Sequence, residues 1–254
     1  MLKFVKYQGT GNDFILVDNR DSSFNSYELI PKLCDRRLGI GSDGFILIQN
    51  HDNADFEMDF YNPDGSSSFC GNGSRCAVDF AYGLGIIDAS ATFKAYDGIH
   101  TAEIKNGLIT VKMAECKIPY KTENGEFIHT GSPHFVLFKK DINSLNINAL
   151  GADYQKKTNL FGADGINVNF VSIKDKGSIF VRTYERGVNN ETLSCGTGVT
   201  ASAICYGLAE GINVVNVETK GGDLKVTFET TGLLLNSIFL TGPVEKVYHG
   251  SIQI

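Results

Sequence analysis

Cys70-Gly71-Asn72-Gly73-Ser74-Arg75-Cys76 runs into an apolar stretch that ends in Tyr82-Gly83-Leu84. Half a chain later, Cys195-Gly196-Thr197-Gly198 runs into one that ends in Tyr206-Gly207-Leu208. A single Cys-Gly-x-Gly carries little information, because glycine is common. Two upstream blocks recur as well, in the same order. Gly41-Ser42-Asp43-Gly44 with its apolar tail Phe45 to Ile48 is echoed by Gly162-Ala163-Asp164-Gly165 with Ile166 to Val171, and Asn12-Asp13-Phe14-Ile15-Leu16 by Pro133-His134-Phe135-Val136-Leu137. Order and near-constant spacing across three blocks are the signature of an internal duplication. The chain is therefore expected to form two halves, residues 1–118 and 119–254, one cysteine turn in each. The boundary is placed near Pro119, where the register restarts, and the last strand is free to pack back on the first half.

Short runs rich in β-branched or aromatic residues, bounded by Gly, Asn or Asp, read as strands: Phe56 to Tyr61, Gly107 to Met113, Ser178 to Tyr184, Leu224 to Phe228 and Leu233 to Leu240. From Cys76 to Leu84 the only charged residue is Asp79, and from Val199 to Leu208 there is none. A helix that is apolar nearly all round is a buried helix. The expected fold class is α+β: two pseudo-symmetric domains, each a mixed β-sheet wrapped round a buried central helix that begins at its Cys-Gly-x-Gly turn.

Composition limits the partners. With 254 residues, 42% of them hydrophobic, the chain is long enough for one large α/β unit or two domains of ordinary size. A formal net charge of -6 and no long Lys/Arg run argue against nucleic acid or an anionic membrane surface, and favour a small-molecule substrate. No apolar run is long enough to span a bilayer, and Met1 to Asn19 lacks the apolar core of a signal peptide, so a soluble, cytoplasmic protein is expected. Six cysteines in a chain this large read as reduced thiols, and none of their spacings suits a metal site. Cys34, Cys76, Cys116 and Cys205 open no glycine-rich turn and read as small buried hydrophobes.

Cys70 and Cys195 are different. The first N–H groups of a helix have no partner within it, and with the macrodipole they favour a nearby thiolate or carboxylate. The glycines of each turn leave those N–H groups open to a ligand. With an amino-acid carboxylate held there, one thiolate can remove the α-proton while the other thiol delivers a proton to the opposite face. An acid and a base of the same residue type suit a reversible inversion. A pyridoxal phosphate site would need a Schiff-base lysine, and no Lys falls inside either turn, so no cofactor is expected.

At these residues the chain resembles the diaminopimelate epimerase family, nearly end to end. Gly9-Thr10-Gly11-Asn12-Asp13-Phe14 is similar to the family's opening motif, and Asp35-Arg36-Arg37 with Gly39-Ile40-Gly41-Ser42-Asp43-Gly44 to its second. Phe60-Tyr61-Asn62-Pro63-Asp64-Gly65 leading to Cys70 resembles the first cysteine signature, and Tyr184-Glu185-Arg186-Gly187, Glu191-Thr192 and Cys195 to Gly198 the second. The resemblance implies interconversion of LL- and meso-2,6-diaminopimelate in lysine and peptidoglycan precursor synthesis, by a homodimer whose two cysteines oxidise reversibly to a disulfide. It further implies that Arg186 grips the distal carboxylate, Glu185 the distal ammonium, and Asn62 and Asn167 the same end, with Asn12, Gly71, Asn72, Gly196 and Thr197 at the reacting end. Guanidinium for carboxylate and acceptors for ammonium fit that assignment.

Other readings stay open on the residues alone. The two cysteines would also suit a proline or hydroxyproline racemase of the same fold, which needs no second clamp such as Glu185 and Arg186, or a non-enzymatic thiol redox sensor. Asn62 suits a turn before Pro63-Asp64-Gly65, and Asn12 and Asn167 suit backbone capping. His134 is read as a core or surface histidine in preference to a proton relay, because the sequence shows no partner for it. Many family members carry Gln where this chain has Gly44 and Asn where it has Ser132; Gly44 receives no role and Ser132 is a candidate contact.

Overall fold

The structure, a computed structural model, describes residues 1–156 and 165–254, so the Gly162-Ala163-Asp164 part of the second repeat lies outside the described residues. Its contacts divide it into two compact units, Met1–Val111 with Gly242–Ile254, and Lys112–Thr241.

In the first unit, β1 (Leu2–Gly9) pairs antiparallel with β2 (Asn12–Asp18) and β2 parallel with β3 (Gly44–Gln49). β3 then pairs antiparallel with β4 (Phe56–Tyr61), and β4 parallel with β5 (Ser90–Ala95). β6 (Gly98–Lys105) and β7 (Leu108–Lys112) complete it antiparallel. Each parallel step contains a helix, α1 (Ile30–Cys34) between β2 and β3 and α2 (Gly71–Gly83) between β4 and β5. Successive side chains leave opposite faces of a strand. Phe14, Leu16, Ile46 and Ile48 accordingly meet Cys76, Ala77, Val78 and Phe80 of α2, whereas Ile15, Val17, Phe45 and Leu47 meet Ile30, Leu33 and Cys34 of α1. Burial on both faces explains why Phe45 to Ile48 shows no polar alternation. Phe14, Phe56 and Phe93 are wholly buried, each contributing about 2–3 kcal/mol.

The second unit opens with β8 (Cys116–Lys117) and β9 (Tyr120–Lys121), so the boundary expected between 118 and 119 falls inside it. β10 (Glu126–His129), β11 (Pro133–Phe138), β12 (Asn167–Asp175) and β13 (Ser178–Glu185) pair antiparallel, parallel and antiparallel in turn. The short β14 (Asn190–Thr192) pairs back on β13. β13 also runs parallel to β15 (Val214–Thr219), and β16 (Gly222–Thr231) and β17 (Leu234–Gly242) follow antiparallel. This is the ladder order of the first unit repeated. The helices fall in the same two gaps, α3 (Ile147–Gln155) between β11 and β12 and α4 (Gly196–Glu210) before β15. Even the β13–β14 return has a counterpart, the isolated bridge between Tyr61 and Ser67. The duplication expected from the sequence is therefore present as topology, and the α+β class stands.

α4 is buried from Gly198 to Gly207 and ends at Gly211, whose φ of 68° is a left-handed cap suited to glycine. The final strand, β18 (Glu245–Ile252), pairs antiparallel with β1 from Leu2 opposite Ile252, which assigns it to the first unit. No helix among the described residues is long and apolar enough to cross a membrane.

Candidate active site

Both cysteines occupy the N-cap position of a buried helix in extended backbone, Cys70 at φ -131° and ψ 110° and Cys195 at φ -119° and ψ 110°. In each unit the cysteine carbonyl accepts the first helical bond at 2.8 Å, from Ser74 N or from Val199 N. An N-cap side chain faces the helix's unpartnered N–H groups. The Cys70 sulfur accepts from Gly73 N at 3.4 Å, and the Cys195 sulfur lies 3.5 Å from Thr197 Oγ1. Burial is the largest cause that raises the other four thiols: Cys116 to about 11, and Cys34, Cys76 and Cys205 also upward, with help from the acidic neighbours Asp13, Asp79 and Glu126 respectively. They behave as the inert core residues that their sequence context suggests.

Around Cys70 the first unit gathers Asn12 and Asn72. Cys70 Sγ lies 3.8 Å from Asn12 Oδ1, which accepts from Asn72 Nδ2 at 3.3 Å. Both amides are oriented by charged groups. Asn12 Nδ2 donates to Asp43 Oδ2 at 2.8 Å, and Asp43 is held by Arg36 at 2.6 Å. Arg36 and Lys6 also grip Asp13, each at 2.6 Å. Burial would raise the Asp13 carboxyl, but these two cations outweigh it and hold the group well below the usual carboxylate range. Asn72 Oδ1 accepts from Arg75 Nη2 at 3.0 Å. Arg75 is wholly buried in α2, bonding also to Gly71 O and Thr10 Oγ1, and burial lowers its guanidinium to about 10.

Asn62 has a different local task. Its Nδ2 donates to Ser66 O and to the hydroxyls of Ser66 and Ser68, tying the loop that leads into Cys70. Gly44 is buried, and a Cβ there would fall 2.5 Å from Cε2 of Phe60. The Phe60 ring thus fills the space that a longer side chain at position 44 would need.

Around Cys195 the second unit builds a neutral network across three neighbouring strands. Thr183 Oγ1 donates to Asn169 Oδ1 at 3.0 Å, and Asn169 Nδ2 faces His134 Nδ1 at 3.0 Å. His134 Nε2 lies 2.9 Å from both Thr197 Oγ1 and Ser132 Oγ. Burial pushes the imidazole down to about 3, so it is neutral. The sequence-based view of His134 as partnerless is corrected here: its partners Asn169 and Thr197 are distant in sequence and adjacent only through strand pairing and the α4 turn. Asn167 Nδ2 donates to Ser132 Oγ at 3.1 Å and Pro133 O at 3.0 Å, and its Oδ1 accepts from Arg186 N at 2.8 Å. Glu185 Oε2 accepts from Thr192 Oγ1 at 2.9 Å. Glu191, quoted with the second signature, is instead structural: it pairs with buried Arg182 at 2.6 Å and with Lys220 at 2.9 Å.

The sequence reading missed Asp43, Arg36, Arg75 and Asn169 as supports. One signal was available: Asn167 and Asn169 alternate with the apolar Ile166, Val168 and Phe170, and alternation puts both on one face.

The two-repeat α+β fold defines a class seen in solved structures. A probable proline racemase from Agrobacterium radiobacter superposes with a TM-score of 0.74 at 14% identity, covering 100% of this chain and 93% of its own. A PhzF-family phenazine biosynthesis protein from Bacillus anthracis gives 0.77 at 15% identity, covering 100% and 99%. At such identity these share the fold. The family follows from sequence: the model for diaminopimelate epimerase matches residues 4–118 and again 127–247. The diaminopimelate epimerase of Flavobacterium psychrophilum is 44% identical over 257 residues, covering 99% of this chain and 100% of the relative, and that of Aquifex aeolicus is 40% identical over 278 residues, covering 99% and 98%. This chain belongs to the diaminopimelate epimerase family.

Proposed function

We propose that this isomerase interconverts LL- and meso-2,6-diaminopimelate by two-base chemistry at Cys70 and Cys195. One cysteine, as thiolate, takes the proton from the α-carbon. The electron pair left behind is delocalised onto the α-carboxylate, and the other cysteine, as thiol, returns a proton to the opposite face. Each turnover leaves the two sulfurs with exchanged protonation states, which suits the return reaction. Helix N–H groups stabilise the carboxylate as charge builds on it. The observation that carries this reading is the matched capping of α2 and α4 by cysteine in two copies of one topology.

At the reacting end the proposal places Asn12, Gly71, Asn72, Gly196 and Thr197. For the distal amino-acid end it assigns Asn62, Asn167, Glu185 and Arg186, with Asn167 Oδ1 on Arg186 N fixing the backbone from which that guanidinium extends. The reading includes lysine and cell-wall precursor synthesis in the cytoplasm, catalysis without pyridoxal phosphate, and a homodimer. The test is α-hydrogen exchange in deuterated water with LL-diaminopimelate, proline and hydroxyproline in parallel. Exchange confined to diaminopimelate, and lost in both Cys70→Ser and Cys195→Ser, is expected; exchange in proline alone, or full turnover in both variants, overturns the proposal.

A further inference from the structure

The buried chain of groups behind Cys195 has a direction. Asn169 Nδ2 points at His134 Nδ1 and also at Phe135 O, 3.5 Å away. Turning the amide round would set its oxygen against that carbonyl, so Asn169 is a donor towards His134. A neutral imidazole that accepts at Nδ1 carries its proton on Nε2, and this nitrogen faces the hydroxyls of Thr197 and Ser132. Ser132 Oγ also accepts from Asn167 Nδ2. Two hydroxyls are thus fed from behind by groups that only donate, leaving the Thr197 proton free to turn to the sulfur 3.5 Å away.

We propose that Asn169, held by Thr183, is a positioning residue for the second thiol: it fixes His134 as an Nε2–H donor and so directs the Thr197 hydroxyl onto Cys195 Sγ. When Cys195 is a thiolate, Thr197 donates to it. When Cys195 is a thiol, the Thr197 hydroxyl turns to Ser132 and its oxygen accepts from S–H. Two rotatable hydroxyls therefore accommodate both protonation states without any heavy atom moving, the thiolate gaining the stronger, charge-assisted bond, while His134 never changes charge. The packing is specific to this arrangement: a Cβ on Gly198 would fall 2.4 Å from Asn169 Oδ1 and 3.3 Å from His134 Cε1, so only glycine lets α4 begin against the amide.

The inference rests on the reading of Cys195 as a working thiol, but its test needs no turnover. The pH dependence of initial iodoacetamide alkylation is followed at Cys195 and at Cys70 by peptide mapping of the full chain. Asn169→Leu and Thr197→Val are expected to raise the Cys195 midpoint by about one pH unit, a tenfold loss of thiolate at neutral pH, with Cys70 unmoved; Thr197→Ser keeps the wild-type midpoint. Imidazole 15N spectra, with His134 identified by its loss in His134→Gln, are expected to show the Nε2–H tautomer from about pH 5 to about pH 9. An Nδ1–H tautomer in the wild type, or an unmoved Cys195 midpoint in folded Asn169→Leu or Thr197→Val, overturns the proposal. If Asn169→Leu does not fold, the Thr197 pair and the wild-type spectrum decide. Failure of the two-thiol reading would appear separately, as full turnover in Cys195→Ser.

Discussion

The state of His134 makes acid stability a quantitative test of the second unit. Burial lowers the imidazole from 6.5 to about 3, so between these values the unfolded chain binds a proton that the folded chain does not. Stability from this group is complete above about pH 6.5 and falls as pH falls, by about 1.4 kcal/mol per unit for one differential proton. From about pH 6.5 to about pH 4.5 that amounts to about 2.5 kcal/mol. His134→Gln keeps an amide donor for Thr197 and removes the titration. Urea unfolding of both proteins across this range gives two lines, and their difference isolates His134 from groups common to both. Among those, Glu191 and Asp13, with lowered values, lose stability only below about pH 4.5 and about pH 3.8, and Asp59, raised by burial, acts with the opposite sign. The wild-type line is expected to be steeper by about 1.4 kcal/mol per pH unit. Parallel lines would mean that His134 titrates alike in both states, and the neutral-relay argument would fall.

Three further outcomes follow from the same geometry. Gly198→Ala drives a methyl into Asn169 and is expected to cost about 2–3 kcal/mol, whereas Gly83→Ala, with nothing within 4 Å of the new Cβ, should be neutral or stabilising by up to about 1 kcal/mol; denaturant midpoints of the two variants compare them directly. Asp43→Asn removes the charged acceptor that orients Asn12 and is expected to lower kcat/KM roughly tenfold, with thermal stability within about 0.5 kcal/mol because Asp43 is 43% exposed. Cys70→Ser and Cys195→Ser should each reduce α-proton exchange by about a thousandfold or more, since each removes one of the two proton-transfer groups.

The duplication, the two capping cysteines and the α+β class were legible because each depends on residues close in sequence or on a period that glycine and cysteine mark. Supports that depend on strand pairing were not. His134 meets Asn167 across the β11–β12 ladder and Asn169 meets Thr183 across β12–β13, and no local pattern announces a register. Arg75 lay inside the quoted Cys70 motif without a role, because arginine in an exposed helix turn would be unremarkable; only its complete burial makes it informative. Asn62 shows the converse. Its turn role was foreseeable from Pro63-Asp64-Gly65, and the loop bonds to Ser66 and Ser68 fulfil it.

The two repeats keep one backbone and reach it with different chemistry. Five residues after each cysteine, Arg75 Nη1 bonds Gly71 O at 3.3 Å, while Thr200 Oγ1 bonds Gly196 O at 2.9 Å. The same carbonyl of the first turn is capped by a buried cation in one unit and by a hydroxyl in the other. The pattern extends outward: ionised Arg36, Asp13 and Asp43 orient the amide beside Cys70, and neutral His134, Asn169 and Thr183 orient the hydroxyl beside Cys195. A buried guanidinium favours an anion nearby through its charge, whereas the hydroxyl relay favours the thiolate through a hydrogen bond and still accepts from the thiol. Divergence at these positions therefore gives the two sulfurs unequal environments on equal backbones.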